Sequence, residues 1–61
     1  MNDLRTERQT ILDRIAYLDE WEFDINMTTH LTEPLWNKLR EIARERKELR
    51  ERLARIEHAL A

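Results

Sequence analysis

In the second half of the chain the apolar residues Leu35, Leu39, Ile42, Leu49, Leu53, Ile56 and Leu60 recur at alternating steps of four and three, with Arg46 standing where the series would otherwise continue. That spacing is the heptad seam of a helix that packs against another helix. Nothing after Pro34 interrupts it, so the pattern predicts one helix over about 33–60, roughly 40 Å long at 1.5 Å per residue. In the first half Leu4, Ile11, Leu18 and Ile25 repeat every seven residues, Ile15 fills the alternate position once, and Arg8 and Glu22 occupy it elsewhere. This predicts a second helix over about 3–25, with Asn2 or Asp3 accepting an amide hydrogen bond at its start. A strict seven-residue repeat drifts on a straight helix, so a left-handed supercoil is expected.

The stretch between them, "NMTTHLTEPLW", breaks the pattern. With no Gly in the chain, Asn26 is the residue best suited to a left-handed cap on the first helix. Thr32 is placed to cap the second, and Pro34 falls in its first turn, where a missing N–H is harmless. Leu31 and Trp36 have the spacing of a hydrophobic staple. A loop this short folds the two helices into an antiparallel hairpin. Registering them about a turn near residue 30 brings the polar seam residue Arg46 within a turn of Asp19, and Arg8 within a turn of Glu57. Such pairs are expected to set register and orientation more than to add stability, because desolvation offsets their attraction.

Composition agrees with an all-α antiparallel hairpin: no Gly, one Pro and 39% charged residues. It also raises a difficulty. A chain of 61 residues buries little of its surface, and with no Cys it has neither disulfides nor Cys–Zn sites to support it. Association is the remaining support. The flanking residues Leu12, Trp21, Phe23, Trp36 and Ala43 lie where one partner helix cannot cover them. The sequence therefore predicts a homodimer forming an antiparallel four-helix bundle.

Charge and chemistry narrow the function. The net charge is −2, which exerts no global pull on nucleic acid or anionic membrane. No apolar run approaches the ~20 residues of a membrane span, and the charged start "MNDLRTERQ" lacks the apolar core of a signal peptide. A cytoplasmic location is expected. The chain has no Ser, Cys or Gly, which removes Ser/His and Cys/His nucleophile pairs and Gly-rich phosphate loops. It also lacks the Glu-x-x-His spacing of a di-iron bundle. The expectation is a non-catalytic protein with no cofactor and no metal. His58, near the end of the second helix, suits the helix dipole.

Two segments remain as candidate surfaces. In "REIARERKELRERLARIE" the residues Arg40, Arg44, Lys47, Arg50, Arg52 and Arg55 would suit nucleic acid. Against that, Arg44–Glu48, Lys47–Glu51, Glu48–Arg52 and Glu51–Arg55 have the spacing of neutralising pairs, and residues 33–61 carry 8 basic and 6 acidic side chains. In architecture alone, the expected assembly resembles Rop, a small acidic helical-hairpin dimer that regulates plasmid copy number and binds RNA. The other segment, "YLDEWEFDI", interleaves Asp19, Glu20, Glu22 and Asp24 with Tyr17, Trp21 and Phe23. Acidic residues late in a helix oppose its dipole, so local stability does not account for them, although Lys38 and Arg40 of the neighbouring helix are placed to compensate part of the charge. The sequence thus predicts a small protein-interaction module, a regulator or inhibitor, that binds itself and another protein. Its contact residues would be Tyr17, Glu20, Trp21, Asp24, His30 and Trp36 at the loop end. The alternatives are Rop-like RNA binding along the outer face of the second helix, and a purely structural oligomerisation element.

Overall fold

Asp3 starts the first helix. Its backbone is extended and its carboxylate accepts the Arg5 amide at 3.0 Å, satisfying one of the amides that a helix start leaves free. The computed structural model describes residues 3–61, so Asn2, the other cap candidate, lies outside the described residues. From Asp3 the chain runs through α1 (Leu4–Asn26), turns, and returns through α2 (Glu33–Leu60). The two helices pack against each other as a hairpin measuring 44 × 19 × 15 Å. No helix among the described residues is long and apolar enough to cross a membrane.

The seam is buried unequally. The fully buried side chains are Ile11, Leu18 and Ile25 on α1 and Ile42, Leu49 and Ile56 on α2. On each helix they lie seven residues apart, so they form one row of the seam. The alternate row, Ile15, Leu39 and Leu53, packs on them while remaining partly exposed. A lone pair of helices has no third wall, so only the row facing straight across is sealed. At the open end the seam fails altogether: Leu4 and Leu60 are 37% and 41% exposed.

The turn departs from expectation at both helix ends. Asn26 is not a left-handed cap; it is the last residue of α1, and no described residue has positive φ. The chain leaves through Met27 in right-handed geometry. The Met27 amide donates to the Phe23 carbonyl at 3.1 Å and the Thr28 amide to the Ile25 carbonyl at 3.0 Å. A tightened last turn satisfies these carbonyls without a left-handed residue. Thr32 does hold the N-cap position, with an extended backbone and its carbonyl accepting the Trp36 amide at 3.0 Å, yet its hydroxyl makes no capping bond. A cap side chain takes its proton from the second or third helical amide. Pro34 sits second and has none to give. Leu31 packs on the core, whereas Trp36, its expected staple partner, is 49% exposed.

Candidate functional site

The site is assembled by charge chemistry across the seam. Arg46 interrupts the apolar row of α2, and its guanidinium needs acceptors as it leaves water. It donates to Asp19 at 2.7 Å and, through both terminal nitrogens, to Glu22 at 3.2 and 2.9 Å. The side chain is only 19% exposed. Its hydrogen bonds to Glu22 and then Asp19 outweigh desolvation and raise its pKa further, so it stays charged. The sequence pointed to Asp19 and passed over Glu22, which had registered only as a fault in the first seam. Glu22 is the matching fault, and two polar residues on facing seams are the signal that would have found it. Arg8 and Glu57 meet near the open end at 3.4 Å, both well exposed.

A second set of links runs along one flank of the seam. Arg52 donates to Glu7 at 3.0 Å. Arg14 grips Glu45 with two parallel bonds, one of 3.1 Å; the hydrogen bond to Glu45 raises the pKa of Arg14, and the bond to Arg14 lowers that of Glu45. Lys38 lies over the Trp21 ring, 4.8 Å from its centroid. Residues 7, 14 and 21 thus meet 52, 45 and 38, one rung per heptad. One rung takes Arg52 away from the pairing expected within the second helix. Among the described residues, none of the Arg44–Glu48, Lys47–Glu51, Glu48–Arg52 or Glu51–Arg55 pairs forms an ion pair; the one ion pair within α2 is Lys38–Glu41 at 3.1 Å. An exposed i,i+4 pair gains only about 0.2–0.5 kcal/mol, which water readily replaces. Arg40, Arg44, Lys47, Arg50 and Arg55 are therefore left without an acidic partner among the described residues.

The loop-end rung opens onto a groove of about 230 Å³ lined by Tyr17, Glu20, Trp21 and Asp24. One helical turn brings Tyr17 and Trp21 together, with ring centroids 6.0 Å apart and planes tilted by 58°. Arg14 stacks over the Tyr17 ring at 5.2 Å. Trp21 rests on the core, while Tyr17 is 53% exposed. The four acids of this segment divide cleanly. Asp19 and Glu22 are held by Arg46, whereas Glu20 and Asp24 have no cationic partner among the described residues. The expected compensation from α2 does not reach them: Lys38 binds Trp21 and Glu41, and Arg40 donates to Asn37 at 3.2 Å.

No protein-family model, no curated protein and no solved structure matches this chain.

Of the six contact residues predicted for the loop end, Tyr17, Glu20, Trp21 and Asp24 share the groove. His30 and Trp36 do not line it. His30 is exposed in the turn. Trp36 precedes Lys38 by two residues, roughly 200° around the helix, so with Lys38 over Trp21 it faces the opposite flank. Trp36, expected beside the acidic, aromatic end of α1, stays outside the groove because proximity along the hairpin axis does not fix which flank a side chain occupies. No group of three or more His, Cys, Asp or Glu among the described residues is placed to hold a metal ion.

Proposed function

We propose that the protein is a non-catalytic interaction module that works as a homodimer, two hairpins forming a four-helix bundle, and holds a cationic side chain of a second protein in the Tyr17–Trp21 groove. The observation that carries this reading is the division of the four acids. Glu20 and Asp24 stand one turn apart, repel each other, and oppose the dipole of their own helix. They cost stability where they are and have no cationic partner among the described residues. Beside two aromatic rings they offer a lysine or arginine both carboxylate acceptors and ring faces, and aromatic residues are enriched where few contacts dominate binding. The dimer reading is supported by the shallow core, with six buried side chains in a chain that has no disulfide.

The test is titration with short Arg-rich and Lys-rich peptides, followed by Trp fluorescence or calorimetry. Replacing Glu20 and Asp24 together by Lys should weaken binding at least tenfold, and Trp21→Ala should weaken it without reversing its sign of charge. Equal peptide affinity in all three proteins would sink the assignment.

A second reading is favoured by one observation. Among the described residues Arg40, Arg44, Lys47, Arg50 and Arg55 have no acidic partner, and for Arg44, Lys47 and Arg55 the partners that their sequence spacing offered are not engaged, which suits RNA binding along the outer face of α2 in the manner of Rop. Its mark would be capture of RNA that falls steeply with salt and with Arg44, Lys47 or Arg55 changed to Glu.

A further inference from the structure

Trp36 has no structural duty that accounts for it. A tryptophan normally dominates the packing around it, yet this one is 49% exposed. Among the described residues no second ring and no cation stacks on it. The charges that follow it along α2 are also unevenly settled. Lys38 engages Glu41, Arg14 engages Glu45, and Arg46 in the seam holds Asp19 and Glu22. Between Trp36 and Arg50 that leaves one acid, Glu48, against four cations with no acidic partner among the described residues: Arg40, Arg44, Lys47 and Arg50. By holding Glu41, Lys38 also withholds from Arg44 an acid three residues away.

These leftovers share one side of the helix. At 3.6 residues per turn, Trp36, Arg40, Arg44, Lys47 and Arg50 fall within a sector of about 120°, and Glu41, Glu45 and Glu48 fall outside it. All five side chains are exposed. The strip runs about 21 Å along α2 at 1.5 Å per residue. Glu33 and Glu51 bound it at either end, and the unpaired acids Glu20 and Asp24 stand apart from it in the groove on the rung flank.

We infer that this strip is a track for an unpaired nucleic-acid strand, with phosphates on Arg40, Arg44, Lys47 and Arg50 and one base stacked on Trp36. It rests on the RNA reading above and adds the form of strand that is taken and the residue that holds a base. Charge complementarity selects the occupant. A phosphate backbone presents one anion per nucleotide along a line, and the strip presents a line of cations. The bare ring selects the form. A duplex keeps its bases stacked on one another, so it can use the cations but not Trp36. An unpaired strand can turn a base out onto an aromatic face.

The test is fluorescence anisotropy, with the full chain titrated into end-labelled oligouridylate, oligothymidylate and a duplex, each of about 12 nucleotides. Both single strands should bind, and the duplex should bind more weakly by about 5- to 150-fold, the worth of one base–aromatic stack. Trp36→Ala should lose the same factor for the single strands and nothing for the duplex, and Trp36→Phe should recover most of the loss. Four phosphate contacts give a fall in log affinity of about 2.8 per tenfold rise in salt; Arg44→Gln should reduce that slope by about 0.7, and Trp36→Ala should not alter it. Glu48→Gln removes the one acid left unpaired in this stretch and should tighten binding, a gain that misfolding cannot produce. Capture of neither single strand nor duplex would overturn this inference and the RNA reading together. A duplex held as tightly as the single strands, or Trp36→Ala binding like the parent, would overturn this inference alone and leave the cations to RNA. Polyglutamate that competes as well as an oligonucleotide would give the strip to an acidic protein. Trp36→Ala that lowers the apparent mass in sedimentation without moving any affinity would give the ring to an interface between copies. Either result overturns the inference.

Discussion

Arg46→Met is the most informative single change. Methionine keeps the aliphatic stem in the seam and removes the guanidinium, so Asp19 and Glu22 lose the cation between them. The expected magnitude lies between two limits. Exposed ion pairs are worth about 0–1 kcal/mol, and hydrogen bonds to charged groups in more enclosed places about 1.5–3 kcal/mol. Arg46 is 19% exposed and its partners 50% and 31%, which places the loss near 2 kcal/mol once the repulsion of the stranded acids is included. For a domain of this size each kcal/mol moves the midpoint by about 4–8 °C, so a fall of about 8–16 °C is expected. The measurement is thermal unfolding followed by circular dichroism at 222 nm, at one fixed protein concentration because association shifts the midpoint. The double change Arg46→Leu with Glu22→Leu makes both facing faults apolar, leaves Arg8 in the α1 row, and returns Asp19 to water. Replacing a desolvated ion pair with well-packed apolar residues is neutral or stabilising, so this variant should melt at or above the parent. If Arg46→Met melts within about 2 °C of the parent, or the double variant melts below it, the account of Arg46 as a locating device rather than a source of net stability is refuted.

Four further outcomes follow from the same structure. Leu18 is 1% exposed, and Leu18→Ala should cost about 2–5 kcal/mol, enough to abolish cooperative melting in so small a core. Asp3→Ala should cost about 1 kcal/mol through loss of the α1 cap, whereas Thr32→Ala should be close to neutral because the Thr32 hydroxyl caps nothing; melting the two side by side checks both. Glu45 has its pKa lowered from the ordinary 4.5 by the Arg14 hydrogen bond. Its contribution is therefore complete above pH 4.5 and is lost as pH falls through the lowered folded value. Glu45→Gln should flatten that part of the acid limb in a melting series taken from pH 6 downward. Phe23→Ser, at an exposed site of the hairpin, should lower the midpoint more at micromolar than at submicromolar concentration if Phe23 is covered by a second copy.

The fold was legible because its strongest determinant is periodic. Seven-residue spacing located both helices to within a residue of their ends and named every one of the six buried side chains. It was silent on which of the two seam rows would be sealed, since that depends on how many helices surround the seam. The loop was less legible. Asn26 and Thr32 were assigned caps from side-chain preference; Asn26 yielded to the backbone bonds of the Met27–Thr28 turn, whereas Thr32 holds the N-cap position without a side-chain bond, next to a Pro34 that has no amide to donate. The groove was half legible. Tyr17, Glu20, Trp21 and Asp24 follow from helical spacing alone, but the distinction between occupied and unoccupied acids required knowing that Arg46 reaches two of them. Trp36 lies outside the groove because its flank depends on helix rotation, which the Lys38–Trp21 contact reveals.

The three rungs carry a consequence for partner choice. The apolar members of the seam repeat with the heptad, so they alone would tolerate slippage and would tolerate α1 pairing with a second α1. The rungs forbid both. Sliding the helices by one heptad sets Glu7 against Glu45 and Arg14 against Lys38, or, in the other direction, Arg14 against Arg52. Antiparallel pairing of α1 with its own copy sets Arg14 against Arg14, and pairing of α2 with its own copy sets Glu45 against Glu45 and Lys38 against Arg52. Like charges at such positions disfavour the wrong partner more than opposite charges reward the right one. The alternation of sign along residues 7 and 14 of α1 and along 38, 45 and 52 of α2 therefore acts as a code for mutual recognition between two unlike helices, one that would persist if the loop joining them were cut.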